Sequence, residues 1–144
     1  MKPTPRGWPR VSVAVFYQDA SKAIDWLVKA FGFEVRLKVE GEGGLIEHSE
    51  LTFGEGVIMV SEEKRNADLG RPGRSPRTLG GTTQGIMIYV DDVEAHCKRA
   101  RAAGGHITIE PKVSDYGEEY WSDKSYEVED LDGHRWWFAE RLRG

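Results

Sequence analysis

The sequence predicts an α+β protein made of two tandem βαβββ modules, each with one strand, one helix and three further strands. Three observations carry this prediction. The same order of strand-like and helix-like segments occurs twice in 144 residues. The helix caps Asp19 and Asp92 are 92 − 19 = 73 residues apart, as are the helix-ending glycines Gly32 and Gly105 (105 − 32). A charged, glycine-rich segment, residues 64–82, separates the two copies.

The first module is predicted over residues 10–63. It opens with VSVAVFY, whose β-branched and aromatic residues favour a strand. Asp19 then caps a helix that Gly32 ends. The apolar residues of that helix recur at i, i+3, i+4 and i+7 and are Ile24, Leu27, Val28 and Phe31. Three strand-like runs follow, separated by glycine turns: FEVRLKVE, LIEHSELTF and GVIMVSEE.

The second module is predicted over residues 83–142. QGIMIYV forms its first strand, and its helix has a narrow apolar stripe of Val93, Cys97 and Ala100. We expect Pro111 to stop the short strand HITIEP, before the last strands SYEVED and HRWWFAE. The turn glycines Gly56 and Gly133 are 133 − 56 = 77 residues apart, so this copy has an insertion, which we place at Tyr116–Lys124.

Residues 64–82 are predicted to be a flexible linker, because such a polar segment has too little apolar surface to order itself alone. The alternative is a flap that closes over a ligand.

The composition excludes several classes of function. The formal net charge of −4 argues against a general nucleic-acid-binding protein. No apolar run is long enough to span a membrane, and no apolar stretch follows MKPTPRGWPR as in a signal peptide. We therefore expect a cytoplasmic protein. The single cysteine, Cys97, excludes an intrachain disulfide.

Four stretches carry a family resemblance: AIDWLVKAFGFE from Ala23, HSELTFG from His48, VDDVEAHCKRARAAG from Val90 and VEDLDGHRWWFA from Val128. Together with the repeated modules, they resemble the vicinal oxygen chelate superfamily of glyoxalases, bleomycin-resistance proteins and dioxygenases. The resemblance covers nearly the whole chain and implies a single domain, residues 1–144, in which each module curls into a half-open barrel around a concave cleft. It also implies a homodimer.

In the metal-dependent members of that superfamily, divalent-metal ligands lie on the first and last strands of each module. The resemblance places those positions here at Ser12, Met59, Gly85 and Trp137. None offers the imidazole or carboxylate that such metals prefer. We therefore expect no metal and no cofactor.

Strand alternation predicts which side chains face the cleft. His48 and Glu50 should do so, either as an acid–base pair, as a site for a cationic group, or as a solvated pair. The candidate aromatic lining of the cleft consists of Phe16, Tyr89, Tyr116, Trp121 and Trp137. Such rings suit planar or cationic ligands, and Glu118 and Glu119 would favour a positive charge.

Other residues are assigned structural roles. We expect Trp136 to lie in the core, His134 to shape the turn before the last strand, and His96 to be exposed on the second helix.

The favoured hypothesis is a protein that binds a small planar or cationic organic molecule in a metal-free aromatic cleft. One alternative is a metal-dependent lyase or isomerase of the glyoxalase type that uses His48 and Glu50. The other is a dimeric module without a ligand of its own. Whether the protein is an enzyme stays open at this point, with binding favoured.

Overall fold

The structure, a computed structural model, describes residues 1–144 and divides into two compact units, Met1–Leu79 and Gly80–Gly144. Each unit contains one βαβββ module with a four-stranded, open, mixed sheet. The predicted α+β class and the repeat are therefore confirmed. No helix is both long and apolar enough to cross a membrane.

The first unit has the strand order β1-β4-β3-β2, with β1 parallel to β4 and the other neighbours antiparallel. Its module consists of β1 (Val13–Tyr17), α1 (Ala20–Phe31), β2 (Glu34–Glu40), β3 (Ile46–Phe53) and β4 (Gly56–Glu62). Two short helices follow, α2 (Glu63–Asp68) and α3 (Pro76–Leu79).

The second unit repeats this arrangement with the order β5-β8-β7-β6, in which β5 is parallel to β8. Its elements are β5 (Gly85–Tyr89), α4 (Val93–Ala102), β6 (His106–Asp115), β7 (Ser122–Glu129) and β8 (Arg135–Arg143). Val93, Cys97 and Ala100 of the predicted stripe are buried.

Each helix N-terminus is held by two carboxylates. The side chains of Asp19 and Asp92 accept backbone N–H groups of their own first turns, as the sequence predicts. In addition, Glu62 at the end of β4 accepts the N–H of Ala20 at 2.6 Å, and Glu140 on β8 accepts the N–H of the first residue of α4 at 3.0 Å. These bonds satisfy helix donors that have no intrahelical partner, and they tie each helix to its own sheet.

The DLDGH turn before β8 is organised by a buried aspartate. One carboxylate oxygen of Asp130 accepts the N–H groups of Asp132 and His134, both at 3.0 Å. The other oxygen accepts the indole N–H of Trp136 at 2.9 Å. The turn therefore fixes the start of β8 and its first core side chain at once, which agrees with the structural role predicted for His134.

The prediction that His96 is exposed is wrong. Its Nδ1 lies 2.6 Å from the hydroxyl oxygen of Tyr126, and its ring centroid lies 4.1 Å from that of Phe138. The stripe of α4 offers only small side chains, Cys97 among them, so a further ring is needed to cover the aromatic core beneath the helix.

The prediction that Pro111 stops a short strand is also wrong. β6 continues through Pro111 to Asp115. It is an edge strand, and its pairing with β7 shifts register between Ile109 and Lys112, so the missing N–H of Pro111 is tolerated. The insertion predicted at Tyr116–Lys124 lies in the hairpin formed by β6 and β7, whose loop covers residues 116–121.

The segment predicted as a linker carries more local structure than its composition indicates. Besides α2 and α3, the amide of Asn66 donates to the carbonyl of Gly73 at 2.8 Å, and Glu63 accepts the N–H of Ser75 at 2.9 Å. Its flexibility stays a prediction.

Adjacent tryptophans on β8 give a test of this packing. Trp136 is fully buried and Trp137 is 47% exposed. We expect Trp136→Ala to lower the free energy of unfolding by about 3–5 kcal/mol, because it leaves a cavity and removes a partner of Asp130. Trp137→Ala should cost less than about 1 kcal/mol. Urea denaturation of both variants would measure the difference, and equal losses would contradict the assigned faces.

Glu62 should make stability depend on pH. Burial raises the pKa of its carboxyl above the ordinary value of 4.5, and the charge of Asp19 adds to this. The folded state therefore binds the proton more tightly than the unfolded state, so this group's contribution falls as pH rises from about 4.5 through the folded pKa. Glu62→Gln keeps an acceptor for the helix N-terminus and removes that dependence.

The stability of wild type minus that of Glu62→Gln should therefore decrease as pH rises above about 4.5 in denaturation experiments. Glu55→Gln in the exposed β3–β4 turn is the control. A difference that does not change with pH would contradict the assignment.

Candidate functional site

Each sheet has one face packed on its helix and one face opposite, which we call the open face. On β8 the alternation is sharp, because Trp136 and Phe138 are fully buried while Trp137 between them is exposed. Met87 on β5 lies opposite Trp137. The exposed fractions of Met87, Tyr89 and Trp137 are 41%, 44% and 47%. The open face of the second module therefore presents three large side chains to solvent.

The positions implied for a divalent metal do not supply ligands for one. Met59 lies opposite Ala14 and Trp137 opposite Met87, so the two last-strand positions correspond in their modules. Neither they nor the first-strand positions carry imidazole or carboxylate groups. Nor does any group of three or more His, Cys, Asp or Glu side chains in the structure come together as metal ligands would. The residues present do not fit a metal centre.

His48 and Glu50 do meet on the open face of the first module. Nε2 of His48 lies 2.8 Å from Oε2 of Glu50, and Nε of Arg36 donates to Oε1 of Glu50 at 2.9 Å. The Glu50 side chain is only 13% exposed. These bonds, that of His48 first, hold the pKa of the Glu50 carboxyl below its ordinary value. The carboxylate is thus a fixed anion between two donors.

Two residues of this cluster were not predicted. The guanidinium carbon of Arg36 lies 4.7 Å from the ring centroid of Trp8, and Arg36 also donates to the carbonyl of Gly7. The chain ahead of β1 is thereby tied to β2. Neither residue follows a local periodicity, and their contact joins segments 28 residues apart in sequence (36 − 8).

The chemistry of the first cluster centres on the imidazole. Glu50 stays ionised and accepts both bonds, so it is a weak base but a firm anchor for the ring of His48. With Nε2 directed at Glu50, the second ring nitrogen is the one that can exchange a proton with a ligand. The side chain of His48 is 43% exposed and therefore accessible.

Phe16 lies on the predicted face but is covered. A Cβ placed on Gly73 would lie 2.5 Å from Cζ of the Phe16 ring, so the backbone of the 64–82 segment rests directly on that ring. Any larger residue at Gly73 would force the ring to move. Phe16 is thus packed against its own chain rather than presented to a ligand, and the segment acts as a cover over this part of β1.

In the second module, an arginine lies against the predicted aromatic rings. The guanidinium carbon of Arg141 is 5.1 Å from the ring centroid of Tyr89 and 5.3 Å from that of Trp121. Nε of Arg141 donates to Asp123 at 2.6 Å, and the Tyr89 hydroxyl donates to the same carboxylate at 3.1 Å. Arg141 also donates to the Tyr89 hydroxyl. Neither Arg141 nor Asp123 was predicted from the sequence.

The hairpin loop that carries the other predicted rings is ordered by a separate ion pair. Tyr116 and Trp121 have ring centroids 5.4 Å apart. Arg143 donates to Asp115 at 2.8 Å and lowers the pKa of that carboxyl to about 2. Glu118, like Glu119, is exposed at the loop.

The predicted site residues therefore form two sets, each within its own unit. His48 and Glu50 are paired in the first. In the second, Tyr89 and Trp121 share Arg141, Tyr116 contacts Trp121, and Trp137 lies along the same sheet face.

Comparisons with known proteins agree with this architecture. A family model described as "Glyoxalase/Bleomycin resistance protein/Dioxygenase superfamily" matches residues 11–138. Uncharacterized protein Rv0887c of Mycobacterium tuberculosis is 30% identical over 135 residues, which are 94% of this chain and 76% of that protein. The crystal structure of TioX from Micromonospora sp. ML1 has a TM-score of 0.68 and 32% identity, covering 92% of this chain and 95% of TioX.

A glyoxalase/bleomycin resistance protein/dioxygenase family enzyme from Burkholderia phytofirmans PsJN also has a TM-score of 0.68, at 16% identity, with 91% of this chain and 97% of that chain covered. At that identity the similarity concerns the fold alone.

Proposed function

The chain belongs to the Glyoxalase/Bleomycin resistance protein/Dioxygenase superfamily, and we propose that it binds a small planar organic molecule on the open face of its second module. The observation that carries this proposal is the exposure of Met87, Tyr89 and Trp137 together on neighbouring strands. Large apolar side chains clustered on an open sheet face mark a binding surface more often than a solvated one.

The energetics favour a flat ring. A planar ligand stacked on Trp137 and Met87 would cover about 200 Å² of apolar surface, which contributes about 5 kcal/mol. The loss of translational and rotational freedom on binding offsets much of this. Stacking alone therefore supports weak binding, and a polar contact must supply the remaining affinity and the selectivity.

The position of Arg141 on this face argues for a planar ligand without a positive charge, rather than for a cationic one. Arg141 already lies over Tyr89 and Trp121, the rings that would have to hold a cation. A cationic ligand would compete with the guanidinium for these ring faces and would be repelled by it. Glu118 and Glu119, which were expected to favour a positive charge, lie in the exposed hairpin loop.

The proposed binding needs no metal or cofactor. The homodimer that the resemblance implies remains a prediction.

Trp137→Ala tests the binding face. With 2-naphthoate as a planar probe, isothermal titration calorimetry should show saturable binding to the wild type. Trp137→Ala should weaken it by about 2–4 kcal/mol, because the stacked anchor is removed.

Trp26→Ala is the control, since Trp26 lies on α1 with its ring centroid 5.0 Å from that of Phe31. It removes a tryptophan from a helix and should leave the affinity unchanged. Equal affinity of Trp137→Ala and wild type would show that the probe binds elsewhere.

A second candidate function is proton transfer by the first module. The 2.8 Å contact between His48 and Glu50 favours it, because a carboxylate that orients an imidazole is a common arrangement for a general base. His48 would take a proton from a carbon next to a carbonyl, and Glu50 would stabilise the imidazolium that forms. Arg36 would keep Glu50 in place. No step of this scheme passes through a metal.

Solvent-deuterium incorporation next to the carbonyl of small ketones and ketoaldehydes, followed by NMR, tests this candidate. The wild type should accelerate exchange in at least one compound, and His48→Asn should abolish the acceleration. Glu50→Gln should reduce it by about tenfold to ten-thousandfold, since it removes the group that orients and stabilises the imidazole. Trp26→Ala is the control. Exchange that survives in His48→Asn would reject this role.

A further inference from the structure

We propose that Arg141 is the specificity-determining residue of the second module's open face, and that it selects planar ligands carrying an acceptor oxygen, carboxylates above all. This inference rests on the proposed function and names the ligand class for the same face. The first observation is the position of the guanidinium, 5.1 Å from the ring centroid of Tyr89.

The guanidinium is held in place before any ligand arrives. Asp123 fixes its Nε end, the Tyr89 hydroxyl accepts from one Nη, and the ring of Trp121 lies 5.3 Å from its central carbon. The Asp123 carboxylate is itself fixed by the Tyr89 hydroxyl and is only 13% exposed. A side chain that is already ordered loses little further entropy when it binds a ligand.

Donor capacity remains after these contacts are counted. A guanidinium has five N–H donors. The bond to Asp123 uses one, the bond to the Tyr89 hydroxyl uses another, and a long contact of 3.4 Å to the Gly144 carbonyl uses a third. Two donors of Arg141 are left, on a side chain that is 37% exposed. They suit a carboxylate or carbonyl oxygen.

The other arginines of β8 have different partners. Arg135 faces two carboxylates, those of Glu127 at 2.8 Å and Glu129 at 2.9 Å. Arg143 directs both of its Nη atoms at Asp115. Arg141, like Arg143, has one carboxylate partner, but its guanidinium is the one that lies against Tyr89, on the face that carries Trp137.

Tyr89 connects the stacking surface to Arg141 along the face. Met87 and Tyr89 are alternate residues of β5, so they lie about 7 Å apart on the same face. The guanidinium lies against Tyr89, and Trp137 lies opposite Met87. A bicyclic ring that stacks on Trp137 and extends over Tyr89 would therefore direct a substituent on its far edge toward Arg141. The stack supplies apolar contact, and the arginine supplies selectivity.

Three probes with the same ring separate charge from shape: 2-naphthoate, 2-naphthamide and 2-naphthylmethylammonium. Calorimetry on the wild type should give the tightest binding for the naphthoate and the weakest for the ammonium compound. Arg141→Gln should weaken naphthoate binding by about tenfold or more, the worth of a charge-assisted hydrogen bond. Amide binding should weaken less, and binding of the ammonium compound should not weaken.

Two further variants complete the design. Arg141→Lys keeps the charge without the planar fork and should give intermediate naphthoate affinity. Arg101→Gln removes the same charge from α4, where Arg101 pairs with Glu110, and should leave the order of the probes unchanged. Thermal denaturation confirms that each variant is folded.

The experiment distinguishes an error in the role of Arg141 from an error in the proposed binding face. If the naphthalene probes bind the wild type but naphthoate binding in Arg141→Gln stays within about twofold of it, a difference too small for a charge-assisted hydrogen bond, the role of Arg141 is wrong and the binding face stands. If none of the three binds the wild type, the proposed function is wrong, and the role of Arg141 falls with it.

Discussion

The structure depends on one constraint: each four-stranded sheet packs one face against the long helix of its own module, α1 or α4, and the side chains of the opposite face are left for other contacts. Side chains alternate along a strand, so every position on β8 is committed either to the core or to the open face. Trp136 and Trp137 show the consequence, because neighbours of the same type are fully buried and half exposed. Glu62 and Glu140 anchor the helices at corresponding places in the two modules, and thereby fix which face is covered.

The two modules share the same βαβββ fold but carry different side-chain chemistry on their open faces. In the first, the open face carries a charged cluster in which Glu50 is held between His48 and Arg36. In the second, it carries large exposed side chains with Arg141 at one end. An arginine lies on an aromatic ring in both, yet only the second module combines that arginine with an exposed stacking surface. We therefore propose ligand binding on the second module and proton transfer as the chemistry that the first could support.

Much of the fold was predictable, because its signals are local. The caps at Asp19 and Asp92, the alternation on β8 and the 73-residue repeat can all be read from short windows of sequence. The site was predicted less completely. His48 and Glu50 are two residues apart on one strand and were found, whereas the role of Arg141 depends on rings from β5 and from the hairpin loop. The errors at His96 and Pro111 have the same origin, because tertiary context and not local propensity determines both positions. The aromatic core beneath α4 places His96, and the edge position of β6 tolerates Pro111.

The most direct test of the central claim is an NMR titration of the whole chain with 2-naphthoate, observing the methionine methyl and tryptophan indole signals. We expect saturable shifts at Met87 and Trp137, on the open face of the second module. The indole signal of Trp136, which is buried and bonded to Asp130, should stay in place. Shifts at Trp136 or at Met59, with Met87 and Trp137 unchanged, would contradict the assignment of the binding face.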